Sequence, residues 1–200
     1  MQKKGAYITM KNQNLESKKN EILEKTWNYL LRTGIYDASI GELCKEEKIS
    51  QSSLYYWFKN KDDIWISAGK YGLQNVVESL FSHTLASAND MRNYFRNLLD
   101  TVDPYKQDLR IAIQLTTSPV FGERMRLKAK DFYSIYENFG NKLLDIFDAS
   151  PESVEIFIHT MLMAIVDYVV WDDRNVTQKI LDNLAERAER HLESRQQEKE

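Results

Sequence analysis

Two short stripes of apolar residues stand out between residues 39 and 63. Each has the i, i+3, i+4 spacing of one helix face, and together they comprise Ile40, Leu43 and Cys44, then Leu54, Trp57 and Phe58. Ser39 and Ser50 precede the stripes as N-caps, Glu42 completes a capping box with Ser39, and Asn60 and Asp63 form a similar pair. The pattern predicts two short helices, a tight turn between them, and a further helix beginning near residue 61.

The outward face of the second short helix is polar where the helix begins. Gln51, Ser52 and Ser53 lie off the apolar stripe, as do Tyr55 and Tyr56. A helix that reads base edges in a DNA major groove needs small, hydrogen-bonding side chains at its N-terminal end. Two helices of this length bury little surface, so neighbouring helices must support them. The stretch therefore predicts a helix-turn-helix.

Helical periodicity continues along the rest of the chain. We expect a first helix over residues 17–33, ended by Gly34, and a long helix from residue 61 to about residue 83. Residues 1–16 lack apolar periodicity and predict a loose basic arm, either a disordered tail or a segment along DNA phosphates. Three parts are predicted: a flexible arm at 1–16, a domain at 17–83 that contains the helix-turn-helix and its connecting helix, and a second domain at 84–200.

The second domain is also expected to be helical. One apolar stripe follows Asp90, which can cap its helix, and another follows the Asp103–Pro104 pair. Ser150 is the expected cap of a strongly apolar helix over residues 151–171, with Pro151 at its first position. That helix is apolar on more than one face, so it is either the centre of the domain or meets a partner subunit. Strand-like runs bounded by turns are missing from the sequence. The predicted fold class is all-α.

The run ISQSSLYYWFKNK at residues 49–61 resembles the recognition-helix signature of the tetracycline-repressor (TetR-like) family. That signature has a glycine ahead of an apolar residue, a Leu-Tyr pair, an aromatic pair and a lysine opening the next helix. Lys48, Ser52 and Trp57 depart from the commonest residues, and Lys48 is costly if its φ must be positive. The resemblance covers roughly residues 17–70. It implies a helix-turn-helix three-helix head, a helical ligand-binding and dimerisation domain, and a four-helix dimer interface formed by the last two long helices.

The resemblance also implies which residues contact DNA. Gln51, Ser52 and Ser53 lie where base contacts are made, and Tyr55 and Lys61 lie where phosphates are held. Backbone N–H groups at the start of the first short helix can bind a phosphate as well. The full predicted DNA-binding set is Ser39, Gly41, Gln51, Ser52, Ser53, Tyr55, Tyr56 and Lys61. Singly, these serines can simply cap a helix and Tyr55 can simply pack; the ordered pattern favours DNA binding.

The charge distribution supports this prediction, although the net charge of the chain is −3. Residues 1–70 carry 12 Lys and Arg against 9 Asp and Glu, a net charge of +3, whereas the remaining residues carry −6. No secretory signal is visible in the first 20 residues, and the apolar stretch at 161–171 is interrupted by Asp167 and too short to span a bilayer. We expect a cytoplasmic protein without a membrane partner.

The sequence offers little support for catalysis. The three histidines, His83, His159 and His191, are far apart, and we find no nucleophile signature, phosphate loop or metal-ligand spacing. We therefore expect no catalytic residues, no metal and no cofactor. The single cysteine, Cys44, is on the inner face of its helix and is expected to act as a small buried hydrophobe, with a redox sensor as the alternative.

An effector site is expected inside the second domain, where aromatic and polar side chains occur among apolar helices. The candidate residues are Tyr94, Tyr133, Tyr136, His159, Met163, Asp167 and Trp171. His159 and Asp167 are prominent because polar residues in so apolar a helix need partners. Each of these side chains can instead belong to the core, or bond across a dimer.

The combined prediction is a homodimeric, sequence-specific DNA-binding transcriptional regulator. We expect an inverted-repeat operator on double-stranded DNA, and repression released by a small-molecule effector of unknown identity. The alternative is a ligand- or protein-binding adaptor or activator of the same fold without autonomous DNA binding.

Overall fold

The computed structural model describes residues 2–81, 87–130, 133–147 and 149–199; within these ranges, side chains at 2–14, 88, 133–134, 136, 147 and 191–199 are not described. All regular elements in these residues are helical, which confirms the predicted fold class. The elements are α1 (Gln2–Asp37), α2 (Ile40–Glu46), α3 (Gln51–Trp57), α4 (Lys61–Phe81), α5 (Ala88–Val102), a 3₁₀ helix (Asp103–Tyr105), α6 (Lys106–Thr117), α7 (Gly122–Ala129), α8 (Tyr133–Phe147), α9 (Pro151–Trp171) and α10 (Arg174–Lys199).

The helix ends follow local sequence signals. Three predicted serine caps are present, each hydroxyl accepting from the N–H three residues on: Ser39 from Glu42 at 3.2 Å, Ser50 from Ser53 at 3.1 Å, and Ser150 from Ser153 at 3.2 Å. Gly34 has φ 75°, the left-handed conformation that stops the regular helix within α1. One cap differs from expectation, because Ser87 rather than Asp90 caps α5 and accepts from the Asp90 N–H.

The N-terminal segment differs from its prediction as well. Residues 1–16 were expected to form a loose arm, but α1 begins at Gln2 and runs continuously through this segment. The segment contains no proline, so no residue in it lacks the backbone N–H that a helix continuing to Gly34 needs.

The chain forms two compact units. The first comprises Met1–Leu73 and Ile111–Ala129, and the second comprises Gln74–Arg110 and Lys130–Glu200. These units do not coincide with the predicted domains, because residues 111–129 belong with the N-terminal helices and residues 74–83 with the second unit. Two helices, α4 and α6, therefore contribute residues to both units.

The first unit has a core of large, fully buried side chains. Its members come from six helices and include Tyr29, Leu30, Leu43, Leu54, Ile64, Trp65, Ile111, Leu115 and Met125. Gly72 of α4 has no side chain where α1 passes, and a Cβ there would lie 2.0 Å from the Trp27 ring. Helices α2 and α3 each bury only one large residue completely, so they cannot be stable alone. They depend on the core that they share with α1, α4 and the 111–129 segment.

The second unit packs α10 against α5 and α9, and α8 against α9. The predicted α5 stripe is buried throughout: Met91, Tyr94, Phe95, Leu98 and Leu99. At one corner an ionic network joins four elements. Tyr168 donates to the Asp103 carboxylate, Lys106 pairs with Asp103 and Asp172, and Arg174 pairs with Asp103 at 2.8 Å. The network connects the α9–α10 turn with the start of α6.

Helix α9 is more exposed than a core helix. It packs inward through residues such as Met161, Ile165 and Val169, while Ile156, Met163, Val166, Val170 and Trp171 are exposed. Among the described residues, α9 is the one helix long and apolar enough to cross a membrane, with about a third of its most apolar window buried. This length belongs to residues 151–171 taken together, whereas the expectation from sequence considered only residues 161–171.

Candidate nucleic-acid interface

The N-terminus of α3 is organised by a cluster of three serine hydroxyls. Ser50 Oγ lies 3.0 Å from Ser52 Oγ and 2.8 Å from Ser53 Oγ, and it also accepts the Ser53 N–H. This cluster satisfies the end of the helix and fixes the side-chain directions of its first turn. Ser52 and Ser53 remain exposed, so their remaining hydrogen-bonding capacity faces solvent.

Two buried side chains hold α3 while its opposite face stays free. Leu54 is completely buried and Phe58 nearly so. Gln51, Ser52 and Ser53 are exposed, as are the two tyrosines, Tyr55 at 48% and Tyr56 at 71%. The structure therefore brings the five predicted α3 residues together on one outward surface. Tyr56 also packs edge-on against the Trp57 ring, with 4.8 Å between centroids, which limits its motion.

The turn between α2 and α3 requires a left-handed residue. Glu47 is the C-cap of α2, Lys48 follows with φ 55°, and the Ile49 N–H donates to the Cys44 carbonyl at 3.1 Å. This is a Schellman arrangement, in which glycine is the usual residue at the position of Lys48. Ile49 is buried and secures the turn. A lysine at this position was expected to be costly if its φ is positive, and the φ of Lys48 is positive.

The start of α2 is tied to α1 through one tyrosine. The Ser39 N–H donates to the Tyr29 hydroxyl oxygen at 3.1 Å, and that hydroxyl donates to the Glu42 carboxylate at 3.4 Å. The Ser39 N–H, predicted to be available to a phosphate, is thus already satisfied. Gly41 is exposed, and a Cβ there would meet nothing within 4 Å, so a ligand can approach its backbone closely.

Lys61 has a structural partner in addition to its predicted role. Its ammonium donates to the Ala38 carbonyl at 2.8 Å and lies 5.6 Å from the centre of the Trp65 ring. The bond joins the start of α4 to the loop that precedes α2. The side chain is exposed and an ammonium group has three donors, so two remain for a phosphate oxygen.

Basic side chains neutralise the acidic groups beside this surface. Arg32 pairs with Glu46 at 3.4 Å and with Glu47 at 2.6 Å. Arg124 pairs with Asp62 at 2.7 Å, and Lys128 with Asp63 at 3.3 Å. The carboxylates on either side of the α2–α3 pair therefore oppose a nucleic-acid phosphate less than the sequence suggests.

Asp63 remains ionised because of its hydrogen bonds. Burial raises the pKa of its carboxyl, but the Lys59 N–H, at 3.1 Å, and the Lys128 ammonium outweigh burial and lower the pKa. Asp63 also receives the predicted cap, since its N–H donates to the Asn60 side-chain oxygen at 2.9 Å. Cys44, half-buried on the inner face of α2, has a thiol pKa raised by burial, which disfavours the reactive thiolate.

A groove of about 560 Å³ runs between α1 and α3 in the first unit. Three lysines contribute to its lining, namely Lys18, Lys25 and Lys48, together with Ser52, Ser53 and Tyr56 of the exposed α3 face. Lys25 pairs with Glu21 at 2.8 Å on α1. The polar residues of α3 thus lie beside ammonium groups, a combination that fits an anionic polymer with hydrogen-bonding edges.

The predicted effector residues do not converge on one interior site. Tyr94 is buried and donates to the Leu80 carbonyl at 2.9 Å, and burial strongly raises the pKa of its hydroxyl. Met163 and Trp171 are exposed at 49% and 74%, His159 is also exposed, and Asp167 is half-buried. Tyr133 and Tyr136 lie outside the described side chains. Helical spacing indicated apolar surroundings for these α9 residues but could not indicate which face turns inward.

A different set of residues encloses a cavity in the second unit. The cavity has a volume of about 170 Å³ and is lined by Leu143, Ala149, Ser153, Val154, Phe157, Arg187 and Ala188. Its walls are mostly apolar, with one guanidinium and one hydroxyl. None of the predicted effector residues belongs to this lining.

Comparison with solved structures identifies the fold. No family model matches the chain, and no curated protein matches it in sequence. A TetR-family transcriptional regulator from Mesorhizobium loti superposes with a TM-score of 0.61 at 14% identity, covering 86% of this chain and 95% of that one. A TetR-like regulator from a Rhodococcus species gives 0.56 at 15% identity, with 85% and 94% covered.

A third match is a TetR-family transcription regulator from Marinobacter aquaeolei, with a TM-score of 0.51 at 17% identity and coverage of 88% and 97%. The chain therefore has the fold of TetR-family regulators, as the resemblance at residues 49–61 had implied.

Proposed function

We propose that this protein is a homodimeric transcriptional regulator that binds an inverted-repeat DNA operator through α3. The observation that carries the proposal is the two-sided nature of α3. Leu54 and Phe58 anchor it in the core, while its first turn presents Gln51, Ser52 and Ser53 to solvent. A short helix with a polar, exposed N-terminal turn and a rigid support has the form required to enter a major groove.

Each predicted residue receives a role in this proposal. Gln51 pairs with an adenine edge, and the Ser52 and Ser53 hydroxyls contact neighbouring base edges. Phosphates are bound by the side chains of Tyr55, Tyr56 and Lys61 and by the Gly41 N–H, and these contacts set the register of α3 on the DNA. The cap at Ser39 contributes indirectly, because it fixes the position of α2. The proposal is supported by the exposure of Gln51, Ser52, Ser53, Tyr55, Tyr56 and Lys61, and by the neutralised acids around them.

The exposed face of α9 supports a homodimer. Ile156, Met163, Val166 and Val170 recur at helical spacing on the outward side, and α10 packs beside α9 in the same unit. A second copy contributing the same two helices would bury this apolar stripe in a four-helix arrangement. Two heads in such a dimer must be spaced about 34 Å apart, one helical turn of DNA, to enter successive major grooves.

Regulation by a small molecule completes the proposal. An effector that prefers a head spacing other than about 34 Å lowers DNA affinity by its differential affinity for the two states. The helices α4 and α6 are suited to transmit this effect because each contributes residues to both units. The proposed outcome is repression released by the effector in the cytoplasm. The effector binds within the second unit, in the cavity beside Phe157.

The direct test is selection of bound duplexes from random DNA by the purified full-length protein at moderate salt. Enrichment of an inverted repeat, with two protomers per duplex by light scattering, would support both the DNA role and the dimer. Weak, salt-sensitive binding without an enriched sequence would contradict the proposal. That result would favour an adaptor or activator of the same fold that needs a partner to reach DNA.

A further inference from the structure

Lys48 occupies a backbone position where a lysine has no conformational advantage. It is the residue after the C-cap of α2, with φ 55°, and the hydrogen bond from the Ile49 N–H to the Cys44 carbonyl holds it there. In this conformation the Cβ atom of any L-residue approaches its own backbone, and glycine avoids that cost. Asp172 is the other described non-glycine residue with positive φ, and its carboxylate pairs with Lys106.

No comparable partner explains Lys48 among the side chains that the structure describes. Its side chain is exposed, and no hydrogen bond or ion pair among the described residues involves its ammonium. The acidic neighbours of Lys48 in the turn, Glu46 and Glu47, are engaged with Arg32. A strained residue whose side chain makes no bond among the described residues is a candidate for a contact with something outside the chain.

The position of Lys48 shows what such a partner would be. Its side chain lines the groove that contains Ser52, Ser53 and Tyr56 of the exposed α3 face. On the far wall of the same groove stands Lys18, also exposed. A DNA strand whose bases contact the first turn of α3 has its phosphates on the rim of this groove. An ammonium group that binds one of these phosphates releases the counterions condensed on the DNA.

We propose that Lys48 is a DNA-contacting residue that binds a backbone phosphate next to the bases read by α3, and that its left-handed conformation is retained for this contact. The inference rests on the proposed DNA-binding function and adds a residue that the predicted contact set did not contain. It predicts an unusual combination: removing the side chain makes the protein more stable and the complex weaker.

The test compares Lys48→Gly with Lys48→Arg, and with Lys45→Ala as the matched control. Lys45 is an exposed lysine three residues earlier, in the last turn of α2 and outside the groove lining. Thermal unfolding of the full-length protein is followed by circular dichroism. Binding to the selected operator duplex is followed by fluorescence anisotropy at several salt concentrations.

We expect Lys48→Gly to raise the melting temperature by about 2 °C, because the strain is relieved. The same variant should bind the operator roughly tenfold more weakly, with a salt slope reduced by about one unit per protomer. Lys48→Arg should keep both the slope and most of the affinity, since it keeps the charge. Lys45→Ala should change the salt slope clearly less than Lys48→Gly does.

Three contrary results are distinguishable. If the wild-type protein binds its operator and Lys48→Gly binds it equally tightly with the same slope, the role of Lys48 is refuted while the proposed function stands. If the wild-type protein selects no sequence, the proposed function itself fails, and the role of Lys48 fails with it. Equal losses in Lys48→Gly and Lys45→Ala would show a general effect of charge and would also refute a specific contact.

Discussion

The hydroxyl of Tyr29 accepts a hydrogen bond from the backbone N–H of Ser39 at a distance of 3.1 Å. This bond joins the C-terminal part of α1 to the residue that caps α2, and the Tyr29 side chain is completely buried. The hydroxyl also donates to the Glu42 carboxylate at 3.4 Å. In an ordinary capping box the Glu42 carboxylate would accept the Ser39 N–H directly, whereas here the Tyr29 hydroxyl accepts it. The orientation of α2, and with it the turn before α3, depends on this contact.

Replacing Tyr29 with phenylalanine should therefore destabilise the protein without changing its core shape. The Ser39 N–H loses its partner in a half-buried position, which costs about 1–2 kcal/mol. For a chain of this length we expect a melting temperature lower by roughly 2–6 °C, measured by circular dichroism. Tyr36→Phe is the control, because Tyr36 is 76% exposed and should show no change. An unaltered melting temperature for Tyr29→Phe would mean that water replaces the hydroxyl.

Lys61 should contribute to stability and to DNA binding separately. Lys61→Ala removes both the bond to the Ala38 carbonyl and the proposed phosphate contact. We expect affinity to fall at all DNA sequences, with a salt slope reduced by about one unit per protomer, and a small loss of melting temperature. Anisotropy titrations at several salt concentrations measure the slope. A lower melting temperature with unchanged slope would leave Lys61 only its structural role.

Gln51 should affect specificity rather than overall charge attraction. Gln51→Ala is expected to relax the preference at one base pair in each half-site, at a cost of about 1–3 kcal/mol for the preferred operator. The salt slope should stay the same because no charge is removed. Repeating the duplex selection with the variant measures the preference. An unchanged operator preference would remove Gln51 from the base contacts.

The outward face of α9 should control the oligomeric state. Met163→Glu places a charge at the centre of the exposed stripe and should convert the proposed dimer into a monomer, measured by size-exclusion chromatography with light scattering. Because Met163 is 49% exposed, the protomer itself should stay folded. Leu127→Glu is the matched control, since Leu127 is 55% exposed on α7 in the other unit. A dimeric Met163→Glu protein would exclude this face as the interface.

The ionic network of the second unit should make stability depend on acidic pH. The hydrogen bond from Tyr168, followed by Lys106 and Arg174, lowers the pKa of Asp103 below its ordinary value of 3.8. A carboxyl with a lowered folded-state pKa contributes stability above its unfolded pKa, and this contribution is lost as the pH falls through the folded pKa. The melting temperature should therefore decline as the pH is lowered from about 5 to about 3.

The variant Asp103→Asn isolates this contribution. It should be less stable than the wild type at pH 7, and the difference should shrink as the pH falls, because protonation removes the same charge from the wild type. Asp145→Asn, an exposed substitution on α8, serves as the control and should follow the wild-type curve. A constant difference between Asp103→Asn and the wild type at every pH would contradict the proposed role of the charge.

Local features of this structure could be predicted from sequence because their causes lie within four residues. The caps at Ser39, Ser50 and Ser150 are examples, and so is the demand for a positive φ at Lys48. A hydroxyl that accepts the N–H three residues on needs no knowledge of the fold.

Contacts between distant residues could not be predicted in the same way. Lys61 and Ala38 are 23 positions apart, and the pair Arg124 and Asp62 is 62 positions apart. Helical periodicity shows that a helix has an apolar face, but it does not identify the helix that meets that face. For this reason the attachment of residues 111–129 to the first unit was not predicted.

The effector site shows the same limitation more strongly. In the second half of α9, residues 161–171, every position except Asp167 is apolar, so the sequence there supplies no polar face against which an inward face can be recognised. Met163 and Trp171 were assigned to an interior pocket, yet both are exposed. The apolar character of these two residues fits a protein partner as well as it fits a ligand pocket.

The split composition of the first unit has a practical consequence for engineering. Its core includes Ile111, Leu115 and Met125, and a Cβ at Gly69 would lie 2.5 Å from Leu115. A fragment that stops after residue 73 would therefore expose the side of α4 that these residues cover. The exposed face of α3 therefore cannot be transferred with residues 1–73 alone. Chimeras that exchange it must also carry residues 111–129.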